Sequence, residues 1–240
     1  GHAARHNLIL PLADHLPKDF MQDQFLHSTG SSFESYRFEN KQMALAIDAA
    51  TPVASYRPDI LEKHGKKIPG TLEDLLELAA DGLVLFPCIP QDTLMNFYMM
   101  CAAYGEDPFL SEIAVINKDI GTKALKMLRR LGEMIDKRCF DWNPIQIYEA
   151  MANTDNFAYC PFAYGYSNYS RIGYSSNVLY FHDTVTMDGI NHLKTTLGGT
   201  GLAVSASCKN IDAAMAFVKY SASAICQRTL FFDNGGQPGH

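Results

Sequence analysis

Met43-Ala44-Leu45-Ala46-Ile47-Asp48-Ala49-Ala50-Thr51-Pro52-Val53-Ala54-Ser55-Tyr56 is the stretch on which the fold turns. Met43 to Ile47 is a short, wholly apolar run that stops at Asp48, the pattern of a buried strand. Ala49-Ala50-Thr51-Pro52 breaks the regularity, and Val53 to Tyr56 resumes an extended run. A strand, a loop and a second strand in line suit a chain that crosses from one lobe to another.

Outward from this stretch, helices and strands alternate. Thr71 to Ala79 is the clearest helix, with Thr71 as its cap, Pro69-Gly70 at its entry and Leu72, Leu75, Leu76 and Ala79 on one stripe. Asp92 is expected to cap a helix whose Leu94, Phe97, Tyr98 and Cys101 share a face, ending at Gly105. Lys123 to Asp136 is amphipathic, with Ala124, Leu128, Leu131 and Ile135 inward. Asn210 caps a fourth helix bearing Ile211, Ala214, Met215 and Val218, which continues after a break through Ile225. Extended runs are expected at Asn156 to Cys160, Val178 to Phe181 and Leu202 to Ser205. Strands and helices joined by short loops predict an α/β protein.

Composition agrees with that architecture and removes several functions. The chain has 240 residues, 47% hydrophobic and 19% charged, with a net charge of −6. That length suits one large domain or two smaller lobes, and the apolar content excludes a disordered or collagen-like chain. An acidic protein without a Lys/Arg block is a poor partner for nucleic acid, whose phosphates are held by cations. The longest apolar candidate, Leu83 to Phe86, is stopped by Pro87 and Pro90, far short of a membrane span. No secretory leader is visible, and the Gly1-His2 start and Gly239-His240 finish suggest a trimmed chain. The six cysteines are never closer than 13 residues, which excludes the C-x-x-C spacings of zinc ribbons and dithiol sites. They read as isolated buried thiols.

Reaction signatures are missing. Gly199-Thr200-Gly201-Leu202-Ala203-Val204 opens like a dinucleotide fingerprint, but Val204 replaces the third small residue and the run leads into an extended segment. There is no G-x-x-x-x-G-K-[ST], no H-E-x-x-H and no G-x-S-x-G. The closest histidine pairs, His2/His6 and His182/His192, lack a carboxylate at ligand spacing. No cofactor and no metal are expected. What stands out is aromatic: between Tyr148 and Tyr180, the loop-like run Pro161 to Tyr169 carries no charge, and its tyrosines offer flat apolar faces with hydroxyl tips. That combination suits stacking on a polyhydroxylated ring, so Tyr159, Tyr164 and Tyr166 are candidate ligand contacts. Asp48, at the end of a buried strand, can accept sugar hydroxyls or serve as a turn former.

Taken together, these segments resemble the family 1 extracellular solute-binding proteins of ABC importers, especially the sugar-binding group. Met43 to Tyr56 with Arg57 to Gly65 resembles the family's hinge strand and following helix. Pro69 to Ala79 is similar to its acidic-leucine helix. Leu197-Gly198-Gly199-Thr200-Gly201-Leu202-Ala203-Val204-Ser205 with Asn210 to Ala222 resembles the return strand and the Ala-rich helix after it. Gly235-Gly236-Gln237-Pro238-Gly239-His240 matches a turn of a sugar-binding subgroup.

The resemblance implies a two-lobed α/β protein of the type II periplasmic-binding-protein class. Residues 52–197 would form a nearly complete second lobe, and residues 1–51 with 198–240 a partial first lobe. Family members carry further segments before Asn7 and after the Gly-Gly-Gln-Pro turn. The implied function is extracytoplasmic capture of a sugar or polyol by hinge closure, as a monomer, for delivery to ABC permease transmembrane subunits. Periplasmic or extracellular residence follows, with neither membrane insertion nor nucleic acid. Glycines 198, 199 and 201 would allow close backbone approach at the cleft. Thr51 and Thr200 join Asp48 as polar contacts, and Gln237 offers an acceptor and two donors to a hydroxyl pair. Two other functions compete. One is a glycoside hydrolase using Asp48 and Asp92 as paired carboxylates. The other is a hydrolase with Cys160 as nucleophile.

Overall fold

The computed structural model describes residues 1–111, 113–187, 189 and 191–240. In chain order the main elements are helix α1 (Lys18–His27), strands β1 (Leu45–Ala50) and β2 (Pro52–Tyr56), and helices α2 (Leu72–Ala80), α3 (Pro90–Ala103), α4 (Lys118–Met134) and α5 (Pro144–Asn153). Strands β3 (Tyr159–Tyr164), β4 (Tyr180–His182) and β5 (Gly198–Leu202) follow, then helix α6 (Ile211–Ser221). The chain divides into two compact units, one of residues Gly1–Ala50 and Leu197–His240, the other of Thr51–Thr196. No described helix is long and apolar enough to cross a membrane.

The unit of residues 51–196 is built on an antiparallel sheet in the order β3-β2-β4. Pro52 stands opposite Tyr164 and Tyr56 opposite Tyr159, with an irregularity between Val53 and Ser55. Helices α2 to α5 bury their apolar stripes in the same core as the sheet, around Leu75, Leu85, Leu131, Tyr148 and Phe162. Their ends follow local chemistry. In α2 the Asp74 amide donates to Thr71 Oγ1 at 3.2 Å and Asp74 Oδ2 accepts from the Thr71 amide at 2.9 Å, a reciprocal cap. Asn143 and Gln146 repeat that device in α5, behind Pro144 in the first turn.

Several expectations need correction. Helix α3 starts at Pro90, so Asp92 lies within its first turn and caps nothing, while Leu94 is exposed and Asn96, Met99 and Met100 face inward. The missing amide of Pro90 makes it the natural first residue, which the reading of Asp92 as cap overlooked. Helix α4 begins five residues before Lys123, because Asn117 takes the amides of Asp119 and Ile120. The supposed loop Pro161 to Tyr169 is strand β3 up to Tyr164, then a 3-10 turn at Ser167–Ser170.

The unit of residues 1–50 and 197–240 pairs β1 with β5 antiparallel, Ala50 opposite Gly198 and Asp48 opposite Thr200, with a bulge between Ala46 and Asp48. Its smaller core joins Leu12, Leu16, Phe33 and Leu45 to Met215 and Val218 of α6. Asn210 caps α6 through the Ala213 amide, and Ser223 caps the short turn Ala224–Cys226 that follows the break. All six cysteines are free thiols.

Candidate functional site

In the unit of residues 51–196, a set of hydroxyls gathers where the chain enters and leaves. Thr51 Oγ1 donates to the Thr196 carbonyl at 3.1 Å and lies 2.6 Å from Thr195 Oγ1. Having one hydrogen to give, Thr51 must accept from Thr195. The Tyr164 hydroxyl is 2.9 Å from Thr196 Oγ1. Sheet register makes this possible: Pro52 opposite Tyr164 brings the last residue of β3 beside Thr51, whose carbonyl accepts from the Gly165 amide at 3.1 Å. Tyr164 is half-buried, and Tyr166 is partly exposed with its ring edge-on to Tyr148 at 6.2 Å.

Tyr159 does not belong to this group. It is 0% exposed, its hydroxyl has no hydrogen-bond partner, and burial pushes its phenol well above the ordinary range. Pairing opposite Tyr56, five residues upstream of Tyr164, it faces the core and cannot meet a solute. Thr195 and Thr196 went unnoticed in the sequence, although a Thr pair directly before Leu197-Gly198-Gly199 was the available signal.

In the other unit, Asp48 is the centre of a second polar group. It is half-buried on β1, and desolvation raises its carboxyl above the usual range, against a hydrogen bond from the Gln237 side chain that lowers it. Tyr36 lies nearby: burial raises its phenol first, and the Asp48 charge raises it further. The backbone beneath is shaped by glycine. Gly201 packs against the Tyr36 ring so closely that a Cβ would come within 2.5 Å of it, and Gly199 has φ +112°. Gly198 is half-buried, whereas Thr200 is exposed beside Asp48 on the ladder. The Gln237 carbonyl accepts from the Ala49 amide at 3.4 Å, which seats the Gly235-Gly236-Gln237 turn against β1.

The electrostatics of Asp48 make a testable statement. A carboxyl whose pKa is raised by folding holds its proton more tightly in the folded state. Its burial therefore costs nothing below the unfolded pKa, and the cost grows as the pH rises through the unfolded and then the folded pKa. Asp48→Asn is expected to unfold at a higher temperature than the parent at neutral pH. The gain should vanish below the ordinary carboxyl range, read as paired melting curves across pH. A gain independent of pH would show that Asp48 is not strained by burial.

The competing chemistries fare poorly in this geometry. Asp92 is only 7% exposed at the start of α3, shielded from any substrate. Cys160 is fully buried and desolvation raises its thiol far above the ordinary range, so it cannot supply a thiolate.

No protein-family model matches the sequence, and no curated protein aligns with it. Solved structures do align. Maltose-bound MalE3 of T. maritima superposes with a TM-score of 0.81 at 19% identity, covering 99% of this chain and 63% of that one. A solute-binding protein of an ABC transporter from Agrobacterium radiobacter K84, in complex with ribitol, gives 0.81 at 18% identity over 99% and 63%. Another from Thermotoga lettingae TMO, bound with α-D-tagatose, gives 0.81 at 16% over 99% and 64%. The chain thus spans less than two thirds of the length of each of these proteins. Its fold is the type II periplasmic-binding-protein fold of the MalE-like solute-binding proteins.

Proposed function

We propose that this chain belongs to the solute-capturing component of an ABC importer for a sugar or polyol, acting outside the cytoplasm and delivering to permease subunits. The observation that supports it most is that each unit gathers side chains suited to hydroxyl groups. Thr51, Tyr164, Thr195 and Thr196 cluster in one unit, and in the other Asp48 of β1 accepts a hydrogen bond from the Gln237 side chain. Hydroxyls, one carboxylate and an amide complement a polyol, whose oxygens both donate and accept. The solved proteins that share the fold were captured with maltose, ribitol and tagatose. On this reading the ligand leaves unchanged, and the energy of capture comes from its greater affinity for a closed state.

Tyr164 is the residue to test. Tyr164→Ala is expected to weaken sugar binding by about 1–3 kcal/mol, the scale of losing a buried aromatic face. Tyr164→Phe should lose less, since it keeps the ring and gives up only the bond to Thr196. Calorimetric affinities for parent and variants decide it: equal affinity in all three removes β3 from the site.

A further inference from the structure

We propose a divalent transition-metal site at Asp23, His27 and His240, suited to Zn²⁺ and separate from the sugar-facing groups. Asp23 and His27 stand one turn apart on α1 and so share a face. His27 Nδ1 lies 2.9 Å from Asp23 Oδ1, and His240 Nε2 lies 3.2 Å from Asp23 Oδ2. One ligand atom from each residue falls within 4.8 Å of the other two. Three ligands held at about 2.0–2.2 Å from a single ion need that degree of convergence. Two imidazoles and a carboxylate are a donor set that zinc accepts, with a fourth position left for water.

His240 is placed by its surroundings rather than by the cluster alone. The Gly239 carbonyl accepts from the Thr29 amide at 2.9 Å, and the Gly239 amide donates to Gln227 Oε1 at 2.8 Å. Gln227 is itself buried and donates to the Ser221 carbonyl at 2.8 Å. The His240 side chain is 3% exposed and its Nδ1 has no hydrogen-bond partner, while Asp23 and His27 stay open to water. One ligand is thus fixed and the ion has an entry path. Bound there, a metal would fasten the end of α1 to the segment that carries Gln237. The histidine pairs conspicuous in the sequence, His2/His6 and His182/His192, take no part.

The test is calorimetric titration of the chelator-stripped 240-residue chain with ZnCl₂, alongside His27→Ala, Asp23→Asn and a His2→Ala/His6→Ala double variant. The parent and the double variant are expected to bind one ion equally well and to melt at a higher temperature when zinc is present. His27→Ala and Asp23→Asn should bind at least about a hundredfold more weakly, since losing a direct ligand exceeds the 10–100-fold loss typical of its supporting shell, and their melting should ignore zinc. His27 and Asp23 are surface groups, so unchanged circular dichroism will show the variants folded. A His27→Ala isotherm that superposes on the parent, loss of binding in the His2/His6 variant, or no zinc binding by the parent overturns the proposal.

Discussion

Arg57→Ala is expected to lower the stability of the 51–196 unit by about 3 kcal/mol. The side chain is 2% exposed and spends every polar atom. Its Nη1 donates to the carbonyls of Met151 at 2.7 Å and Thr154 at 3.1 Å, its Nε and Nη2 hold Asp59 at 2.8 and 2.6 Å, and Nη2 also reaches Asp155 at 3.2 Å. The two carboxylates are more than half exposed, so water can replace the arginine for them and their share is small. The carbonyls at the end of α5 are different. They lose a charged donor where water enters poorly, and each stranded acceptor costs about 1–3 kcal/mol. Packing around the buried stem is lost as well.

The two contributions separate with pH. Hydrogen bonds from Arg57 hold the Asp59 carboxyl below its usual range. The stability this pairing adds is complete above the unfolded carboxyl pKa and disappears as the pH falls through the lower folded value. The Arg57→Ala penalty should therefore shrink slightly in acid and keep its larger part, which belongs to the carbonyls. Arg57→Lys should recover only a fraction, because an ammonium lacks the planar fork that reaches four residues at once. Urea unfolding followed by circular dichroism at two pH values measures all three. A loss under about 1 kcal/mol for Arg57→Ala would mean that water reaches those carbonyls.

Gly199→Ala is expected to destabilise the other unit by about 3 kcal/mol, at the upper end of the 1–3 kcal/mol that a strained residue costs. Two effects coincide. Gly199 has φ +112°, a conformation that L side chains rarely adopt, and a Cβ built there would lie 2.3 Å from the Asp48 carbonyl oxygen and 3.0 Å from Ala49 Cα. Both obstacles are backbone of the paired strand β1, so relief requires the β1/β5 ladder to part. Because Asp48 is the residue displaced, sugar affinity should fall together with stability. A folded Gly199→Ala protein of parental stability would contradict the tight β1/β5 pairing.

Local features were the legible ones. The Thr71 cap and the leucine stripe of α2 are set by residues within one or two turns of each other, and the helix starts at that cap and runs one residue past the expected Ala79. Asn210 marked α6 for the same reason. Strands were read less well, since pairing partners are distant in sequence. Leu202 to Ser205 looked extended by its apolar character and does bridge Ile9 at Ser205, but the longer ladder lies at Gly198–Leu202, where β1 accepts a glycine-rich partner that strand propensity disfavours. Strand β3 was read only at its first two residues, because it is buried along nearly its whole length and carries Pro161 inside it, so it shows no alternation.

The site divided along the same line. Asp48 was visible as the polar end of an apolar run, and Tyr164 as part of a conspicuous aromatic group. Nothing in that group distinguished Tyr164 from Tyr159, because only their places on β3 leave one half-buried and the other fully buried. Thr195 and Thr196 acquire meaning only through Thr51, 144 and 145 residues earlier. Asp23 and His240 are 217 residues apart, and no spacing rule joins them.

Calorimetric titration of the 240-residue chain with neutral sugars and polyols, each sample then assayed for products, tests the central claim most directly. The expected result is saturable binding of at least one such solute, one per chain, with the solute recovered intact and its affinity lowered by Tyr164→Ala and Asp48→Asn alike. Conversion of the solute, or no binding by any member of the panel, would contradict it.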